Sequence, residues 1–84
     1  MTRLLFFGRL RDVAGCSERL VDLPSNIGTV AELRAWIGEG DPNLGAALET
    51  RGVHVAVDQV ICNRATEAVR GAGEIAFMPP LSGG

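Results

Sequence analysis

The pattern of hydrophobic and polar positions predicts five short β-strands, and residues 53–57 show the strictest alternation. Successive side chains of a strand point to opposite faces, so a period of two indicates this structure. In the first stretch the side chains on both faces are largely apolar, which suits a strand in the middle of a sheet. Asp58 and Gln59 are predicted to form a two-residue turn between the third and fourth strands. The predicted strands are residues 2–8, 17–23, 53–57, 60–63 and 74–78.

Between the second and third strands, apolar residues recur every three or four positions, which predicts helices. A capping box that begins at Thr29 marks the start of the main helix, and Gly38 and Gly40 are predicted to stop it. A shorter helix is predicted to begin at Asp41, with proline at its first position, and to end at Gly52.

The resulting order, in which two strands, a helix, a short helix and three strands follow one another, is that of the ubiquitin-like β-grasp fold. A helical turn over residues 9–15 joins the first two strands, which are expected to pair as an antiparallel hairpin, with the last strand beside the first. The sequence thus predicts an α+β domain over residues 1–80, with a mixed sheet of about five strands and one main helix packed on one face. Pro79 and Pro80 cannot continue a strand, so residues 81–84 are predicted to form a flexible Gly-Gly tail.

Strand parity leaves one face of this sheet without a helix to cover it. A contiguous exposed apolar patch usually marks an interface, so we interpret the uncovered face as a partner surface rather than as a scatter of exposed hydrophobic residues. The residues assigned to the covered face are Leu4, Phe6, Val53, Val55, Val57, Val60, Ile75 and Phe77. Those assigned to the opposite face are Phe7, Ala56, Ile61 and Met78.

The last two residues, Gly83 and Gly84, carry no side chains, so the predicted tail has a tip thin enough for a narrow channel. We expect Gly84 to carry a free α-carboxylate, which is an anion at neutral pH and a poor electrophile. It would need activation as an acyl phosphate or a similar mixed anhydride. An amine could then capture it, giving conjugation, or sulfur could capture it, giving a thiocarboxylate. The alternative is an idle, frayed terminus.

Composition excludes several other functions. A net charge of −2 and a pI near 5.2 argue against a nucleic-acid partner. No stretch has the length of a membrane span or the features of a signal peptide, so the cytoplasm is the expected location. The two cysteines, Cys16 and Cys62, are too few for a structural zinc or iron–sulfur site and are expected to be reduced, half-buried thiols.

The sequence also offers no set of side chains for catalysis. His54 is expected to be a solvated residue, no cluster of His, Cys and carboxylate residues has metal-ligand spacing, and Ser82 lacks the context of a nucleophile elbow. All eight basic residues are arginine, so the chain has no lysine and no lysine-containing phosphate loop. We therefore expect that it neither binds nor hydrolyses ATP by itself.

Four stretches resemble the small, sulfur-carrier subunit of molybdopterin synthase, and the resemblance extends over the whole chain. The opening and the ending are specific to that family, whereas the helix stretch is generic. The FFGRLR opening and the short second helix favour this family over related carriers. The four stretches are Leu4–Gly15, Thr29–Arg34, Val55–Gln59 and Gly73–Gly84.

The resemblance implies a carrier that binds no cofactor and has no catalytic side chains of its own. An adenylating enzyme of the ubiquitin-activating type would use ATP to charge Gly84, and a sulfur donor protein would supply the sulfur. The thiocarboxylated tail, with Leu81, Ser82 and Gly83 governing its access, would enter the large subunit of molybdopterin synthase. There it would donate sulfur to cyclic pyranopterin monophosphate, forming molybdopterin.

The resemblance also maps partner contacts onto Phe7, Arg11, Ile61 and Met78. Three of these residues are among those that strand parity leaves uncovered. Asp58 stands where the family commonly has asparagine, and Met78 stands where an aromatic residue is common. The open alternatives are a sulfur carrier for thiamine synthesis or tRNA thiolation, a ubiquitin-like modifier conjugated through the last glycine, and an interaction domain with an idle tail.

Overall fold

The computed structural model describes residues 1–62 and 64–80, which form a five-stranded sheet and three helices. The strands are β1 (Thr2–Phe6), β2 (Glu18–Val21), β3 (His54–Val57), β4 (Val60–Ile61) and β5 (Glu74–Met78). The helices are α1 (Arg9–Ala14), α2 (Val30–Gly40) and α3 (Pro42–Leu48). The predicted tail, residues 81–84, lies outside the described residues.

The sheet is mixed, with the strand order β2-β1-β5-β3-β4. β1 pairs antiparallel with β2 and parallel with β5, and β5 pairs antiparallel with β3. Phe6 and Phe77 are partners across β1 and β5, and their rings stack with centroids 5.8 Å apart. The predicted hairpin, the predicted place of the last strand beside the first, and the predicted α+β fold class are all confirmed.

Helix α2 begins as the sequence predicts. The Thr29 side chain accepts a hydrogen bond from the Glu32 backbone N–H, and the Glu32 carboxylate accepts one from the Thr29 backbone N–H, which completes the capping box. Val30, Leu33 and Ile37 are buried against the sheet, as their helical spacing predicts. The helix thus closes one side of the core.

The predicted stop at Gly40 is confirmed, whereas the stop at Gly38 and the end of the shorter helix at Gly52 are wrong. Helix α2 contains Gly38 and runs to Gly40, and α3 ends at Leu48 rather than at Gly52. Gly38 is not a stop because α3 packs against it: a Cβ built on Gly45 would lie 2.5 Å from Gly38 Cα. The two glycines therefore permit the close approach of the helices.

Two residues lie on the face that parity predicts but do not have the burial expected for that face. Val60 has the parity of the covered face, yet it is 67% exposed because β4 forms the sheet edge. Ala56 was assigned to the uncovered face, yet it is only 7% exposed. Its short side chain lies between Ala76 and Ile61, its partners on the two neighbouring strands.

The Asp58-Gln59 turn is confirmed, and aspartate has a specific role in it. Both residues have positive φ, 49° and 71°, as in a type I′ hairpin turn, although neither is glycine. One Asp58 carboxylate oxygen accepts hydrogen bonds from the backbone N–H groups of Gly73 (2.9 Å) and Glu74 (3.0 Å). Aspartate therefore ties this turn to the start of β5.

Replacing Gly45 with alanine is expected to destabilise the protein, because the new Cβ would meet a backbone atom of α2 that cannot swing aside. Overpacking costs about 1–3 kcal/mol, more than the roughly 0.5–1 kcal/mol that alanine gains over glycine within a helix. The free energy of unfolding, measured by denaturant titration, should fall by about 1–2 kcal/mol.

Gly40→Ala is the matched control for this prediction. Gly40 lies in α2, and a Cβ built on it has nothing within 4 Å. This substitution should leave the stability unchanged or raise it. Equal losses in the two variants would contradict the proposed packing of α2 against α3 through glycine.

Candidate functional site

All three helices contribute buried side chains to the core on one side of the sheet, and no helix within the described residues covers the other side. We call that other side the open face. Partners in the strand register share a face, so two rows of side chains can be followed across it. The open face carries Leu5, His54, Ala56, Ile61, Ala76 and Met78, with Phe7 just beyond β1, and it also carries Arg3, Glu18, Leu20 and Glu74.

The row nearest the end of β5 contains Phe7, Met78 and His54. The Phe7 backbone N–H donates a hydrogen bond to the carbonyl of Phe77 at 3.1 Å, which places Phe7 beside Met78. Met78 is paired with His54 on β3. Phe7 is 48% exposed and Met78 is half-buried. An aromatic ring and a thioether thus lie next to the point where the chain leaves the sheet.

The second row runs from Leu5 through Ala76 and Ala56 to Ile61 on the edge strand. The two alanines have small, buried side chains, so the surface is recessed in the middle of this row. Ile61, at one end of the row, is 64% exposed. Together the two rows make an apolar surface with a shallow centre. A surface of this kind favours a partner with complementary apolar side chains.

Beyond the second row the open face becomes charged. An Arg3 guanidinium nitrogen lies 2.7 Å from a Glu74 carboxylate oxygen, and a second nitrogen lies 3.9 Å from Glu18. These charges lie at the end of the open face that is farther from the end of β5, beside Leu20, the partner of Arg3 on β2, which is 58% exposed. The charged group was not identified from the sequence, since only the strand register brings residues 3, 18 and 74 together.

The structure places the sequence-predicted partner residues unequally. Phe7 and Met78 are adjacent, and Ile61 lies two strands from Met78's strand, connected to it through the alanine row. Arg11 is exposed on α1, one turn after Phe7, and is not on the sheet. The candidate tail residues Leu81, Ser82, Gly83 and Gly84 lie outside the described residues.

The two cysteines are free and partly buried. Burial, together with the nearby Glu67 carboxylate, raises the pKa of the Cys62 thiol. An Arg19 guanidinium nitrogen lies 3.8 Å from the sulfur of Cys16, a contact that the sequence did not predict. Because the pKa of Cys62 is raised, its thiolate form is disfavoured at neutral pH.

Two further properties of the described residues concern metal-binding clusters and membrane-spanning helices. Residues 1–62 and 64–80 contain no group of three or more His, Cys, Asp or Glu side chains that could hold a metal ion. Within the same ranges, no helix is both long enough and apolar enough to cross a membrane. The open face and the start of the tail are the features to be explained.

Comparison with known proteins places these features in a family. The ThiS family matches residues 4–84. The molybdopterin synthase sulfur carrier subunit of Haemophilus influenzae is 30% identical over 84 residues and is matched over 100% of both chains. The subunit of the same name from Chlamydomonas reinhardtii is 32% identical over 82 residues, covering 98% of this chain and 96% of the relative.

The fold has solved counterparts as well. The structure matches SAMP1 from Haloferax volcanii with a TM-score of 0.79 and 24% identity, over 99% of this chain and 98% of that chain. At this identity the likeness bears on the fold, which is the ubiquitin-like β-grasp. With a family match over nearly its whole length and relatives matched from end to end, the chain belongs to the ThiS family and is a sulfur-carrier protein.

Proposed function

We propose that this protein is the sulfur-carrier subunit of a molybdopterin synthase and that it carries sulfur as a thiocarboxylate on Gly84. The observation that carries the proposal is the position of the apolar open face at the end where β5 leaves the sheet. A partner bound to Phe7 and Met78 lies next to Pro79, the first residue after β5. The names of both end-to-end relatives favour the molybdopterin branch over other sulfur carriers.

The proposed chemistry begins with activation of the Gly84 carboxylate. A carboxylate oxygen attacks the α-phosphorus of ATP bound to an adenylating partner of the ubiquitin-activating type, and pyrophosphate leaves. Sulfur at the oxidation level of sulfide, released by a donor protein, then attacks the acyl carbon. A C–S bond forms, AMP leaves with the carboxylate oxygen, and a thiocarboxylate remains on Gly84. The carrier itself binds no cofactor in this scheme, because the partner supplies the nucleotide site.

In the second half-reaction the tail enters the large subunit of the synthase. The sulfur of Gly84 attacks a carbon of cyclic pyranopterin monophosphate, and a C–O bond of the substrate breaks as the C–S bond forms. Water then cleaves the acyl–sulfur bond. Sulfur stays on the pterin, and the carboxylate of Gly84 is regenerated. Leu81, Ser82 and Gly83 form the stretch that must pass into the partner, and the absence of side chains at 83 and 84 keeps its tip narrow.

Changes at the tip are expected to stop sulfur transfer without unfolding the protein. One added residue moves the carboxylate by about 3.3–3.6 Å, more than a positioned reaction tolerates. Deletion of Gly84 and addition of one alanine after it should each abolish transfer, and Gly83→Ala should slow it. The assay combines the carrier with its adenylating partner, ATP and a sulfur source, and follows the carrier by mass spectrometry.

Wild-type protein is the reference in this assay. It should gain the mass of one oxygen-to-sulfur exchange, located in the C-terminal peptide. A mass that never changes would refute the carrier chemistry at Gly84, and normal transfer by the extended variant would refute the positional argument. Attachment of the carrier to lysines of other proteins would indicate a ubiquitin-like modifier instead.

Replacing Ile61 with aspartate should abolish binding to the large subunit while the fold is kept. Ile61 is 64% exposed, so the substitution disturbs little in the free protein. Loss of a buried apolar side chain costs about 1.5–3 kcal/mol, and burial of an unpaired charge adds to this. Isothermal titration calorimetry should show affinity weaker by about 100-fold or more.

Val60→Asp is the matched control for the open face. Val60 lies on the same two-residue strand and is 67% exposed, but its side chain points to the other side of the sheet. Its affinity for the large subunit should stay close to that of the wild type. An unaffected Ile61→Asp variant, or an equal loss in both variants, would show that the interface lies elsewhere.

The two thiols are expected to be dispensable for sulfur transfer. The raised pKa of Cys62 keeps it protonated at neutral pH, and the proposed chemistry forms its C–S bond at Gly84. A Cys16→Ser/Cys62→Ser double variant should therefore transfer sulfur at the wild-type rate in the reconstituted assay. Loss of transfer in a folded double variant would instead indicate a persulfide on one of the thiols.

A further inference from the structure

The first residues after β5 are held between two loop glycines. A Cβ built on Gly8 would lie 2.7 Å from Cγ of Pro79, and a Cβ built on Gly52 would lie 2.9 Å from Cβ of Pro80. Carbon atoms that are not bonded to each other normally stay about 3.5–4.0 Å apart. A side chain at either position would therefore displace a proline.

These two contacts are distinct from the backbone role of glycine. Gly8 and Gly52 have positive φ, 56° and 90°, but Gly15 and Gly71 have similar values, 79° and 78°. A Cβ built on Gly15 or Gly71 has nothing within 4 Å. The close approach of the prolines is thus specific to positions 8 and 52.

The strand order explains why these two loops meet the prolines. β5 lies between β1 and β3 in the sheet. Gly8 follows the end of β1, where the sheet partner of Phe6 is Phe77, and Gly52 precedes the start of β3, where the partner of His54 is Met78. The loop after β1 and the loop before β3 therefore each place one glycine at the end where β5 leaves the sheet.

We propose that Gly8 and Gly52 form a cradle that fixes the direction in which the chain leaves Pro80, so that both are positioning residues for sulfur transfer at Gly84. The inference rests on the function proposed above. A proline ring fixes its own φ, and the second proline also holds the first in an extended conformation. Seating both rings therefore fixes the backbone at the two residues from which the tail starts.

A fixed direction matters because the tip must reach an active site on another protein. Ordering a flexible segment on binding costs conformational entropy, and a misplacement of about 1 Å can lower a rate about 100-fold. The cradle is proposed to limit the directions open to the tail before binding, so that less conformational entropy is lost when the tail enters the partner. Its effect should therefore appear in the rate of transfer rather than in the affinity of the open face.

The test compares Gly52→Ala with Gly71→Ala, which introduces the same side chain at a similar positive φ without meeting the tail. Affinity for the large subunit should stay within about twofold of the wild type in both variants. The single-turnover rate from preformed thiocarboxylate should fall about 10–100-fold in Gly52→Ala and stay unchanged in Gly71→Ala. Equal rates in the two variants would overturn the proposal.

A double-mutant cycle tests whether Gly52 acts through Pro80. Pro80→Gly removes both ring atoms that crowd position 52, leaving the nearest Pro80 backbone atom at 3.8 Å. Pro80→Gly should itself slow transfer, and adding Gly52→Ala to it should cause no further loss. Additive losses would show that Gly52 acts independently of the proline, and the cradle would be refuted.

Nuclear magnetic resonance of the free carrier separates the cradle from the proposed function. In ¹⁵N-labelled protein, the amide signals of Met78 and of residues 81–84 should shift in Gly52→Ala and remain unchanged in Gly71→Ala. If wild-type protein gains no sulfur, the proposed function fails and these signals alone decide the cradle. Unshifted signals in Gly52→Ala would overturn the cradle whatever the activity.

Discussion

The parallel pairing of β1 with β5 is the interaction on which the rest of this structure depends. It joins the two ends of the described chain, and the stacked rings of Phe6 and Phe77 lie at one end of the pairing. At its other end the Thr2 hydroxyl donates a buried hydrogen bond to the Ala72 carbonyl at 2.8 Å. Parallel strands need a long crossover between them, so all intervening elements are arranged around this pair. β2 extends the sheet on one side, β3 and β4 extend it on the other, and α2 closes the core.

This arrangement places the functional end of the chain on the best-supported strand. β5 has a neighbour on each side, and its three central residues are buried. A tail that begins at such a strand starts from a rigid base, whereas an edge strand, which has only one neighbour, opens more easily. The same central position brings the loops around Gly8 and Gly52 to the tail. The fold therefore determines the point from which the tail of the proposed carrier leaves the sheet.

Much of the fold could be predicted from the sequence because its signals are local. Alternation located the strands, the capping box located the start of α2, and Asp58-Gln59 located a turn. Signals that depend on tertiary contact were misread or missed. Gly38 has the composition of a helix stop, but the approach of Gly45 makes it a packing site. Ile27 and Val69 are buried core residues in segments without periodicity, so no pattern marks them.

The candidate site shows the same division. Parity identified Phe7 and Ile61 as exposed on one face, because a strand's alternation is a local property. It gave the correct face for Ala56 and Val60 but not their burial, because Ala56 lies between two neighbouring strands and Val60 lies on the edge strand. Nothing in the sequence links position 8 or 52 to the prolines after β5. Only the register of three strands brings them together.

The proposed function also limits how tightly the open face can bind. Gly84 must reach an adenylating enzyme first and the large subunit afterwards, and the start of the tail lies beside the same apolar row in both encounters. A partner held on that row converts the arrival of the tail into an intramolecular event, with an effective concentration in the millimolar range for a short linker. That gain makes very tight binding unnecessary for the chemistry. Very tight binding would also delay release, and each partner must leave before the next can bind. A shallow apolar surface on which Phe7 and Ile61 are exposed, with the Arg3–Glu74 ion pair at one end, is consistent with successive partners that bind and dissociate.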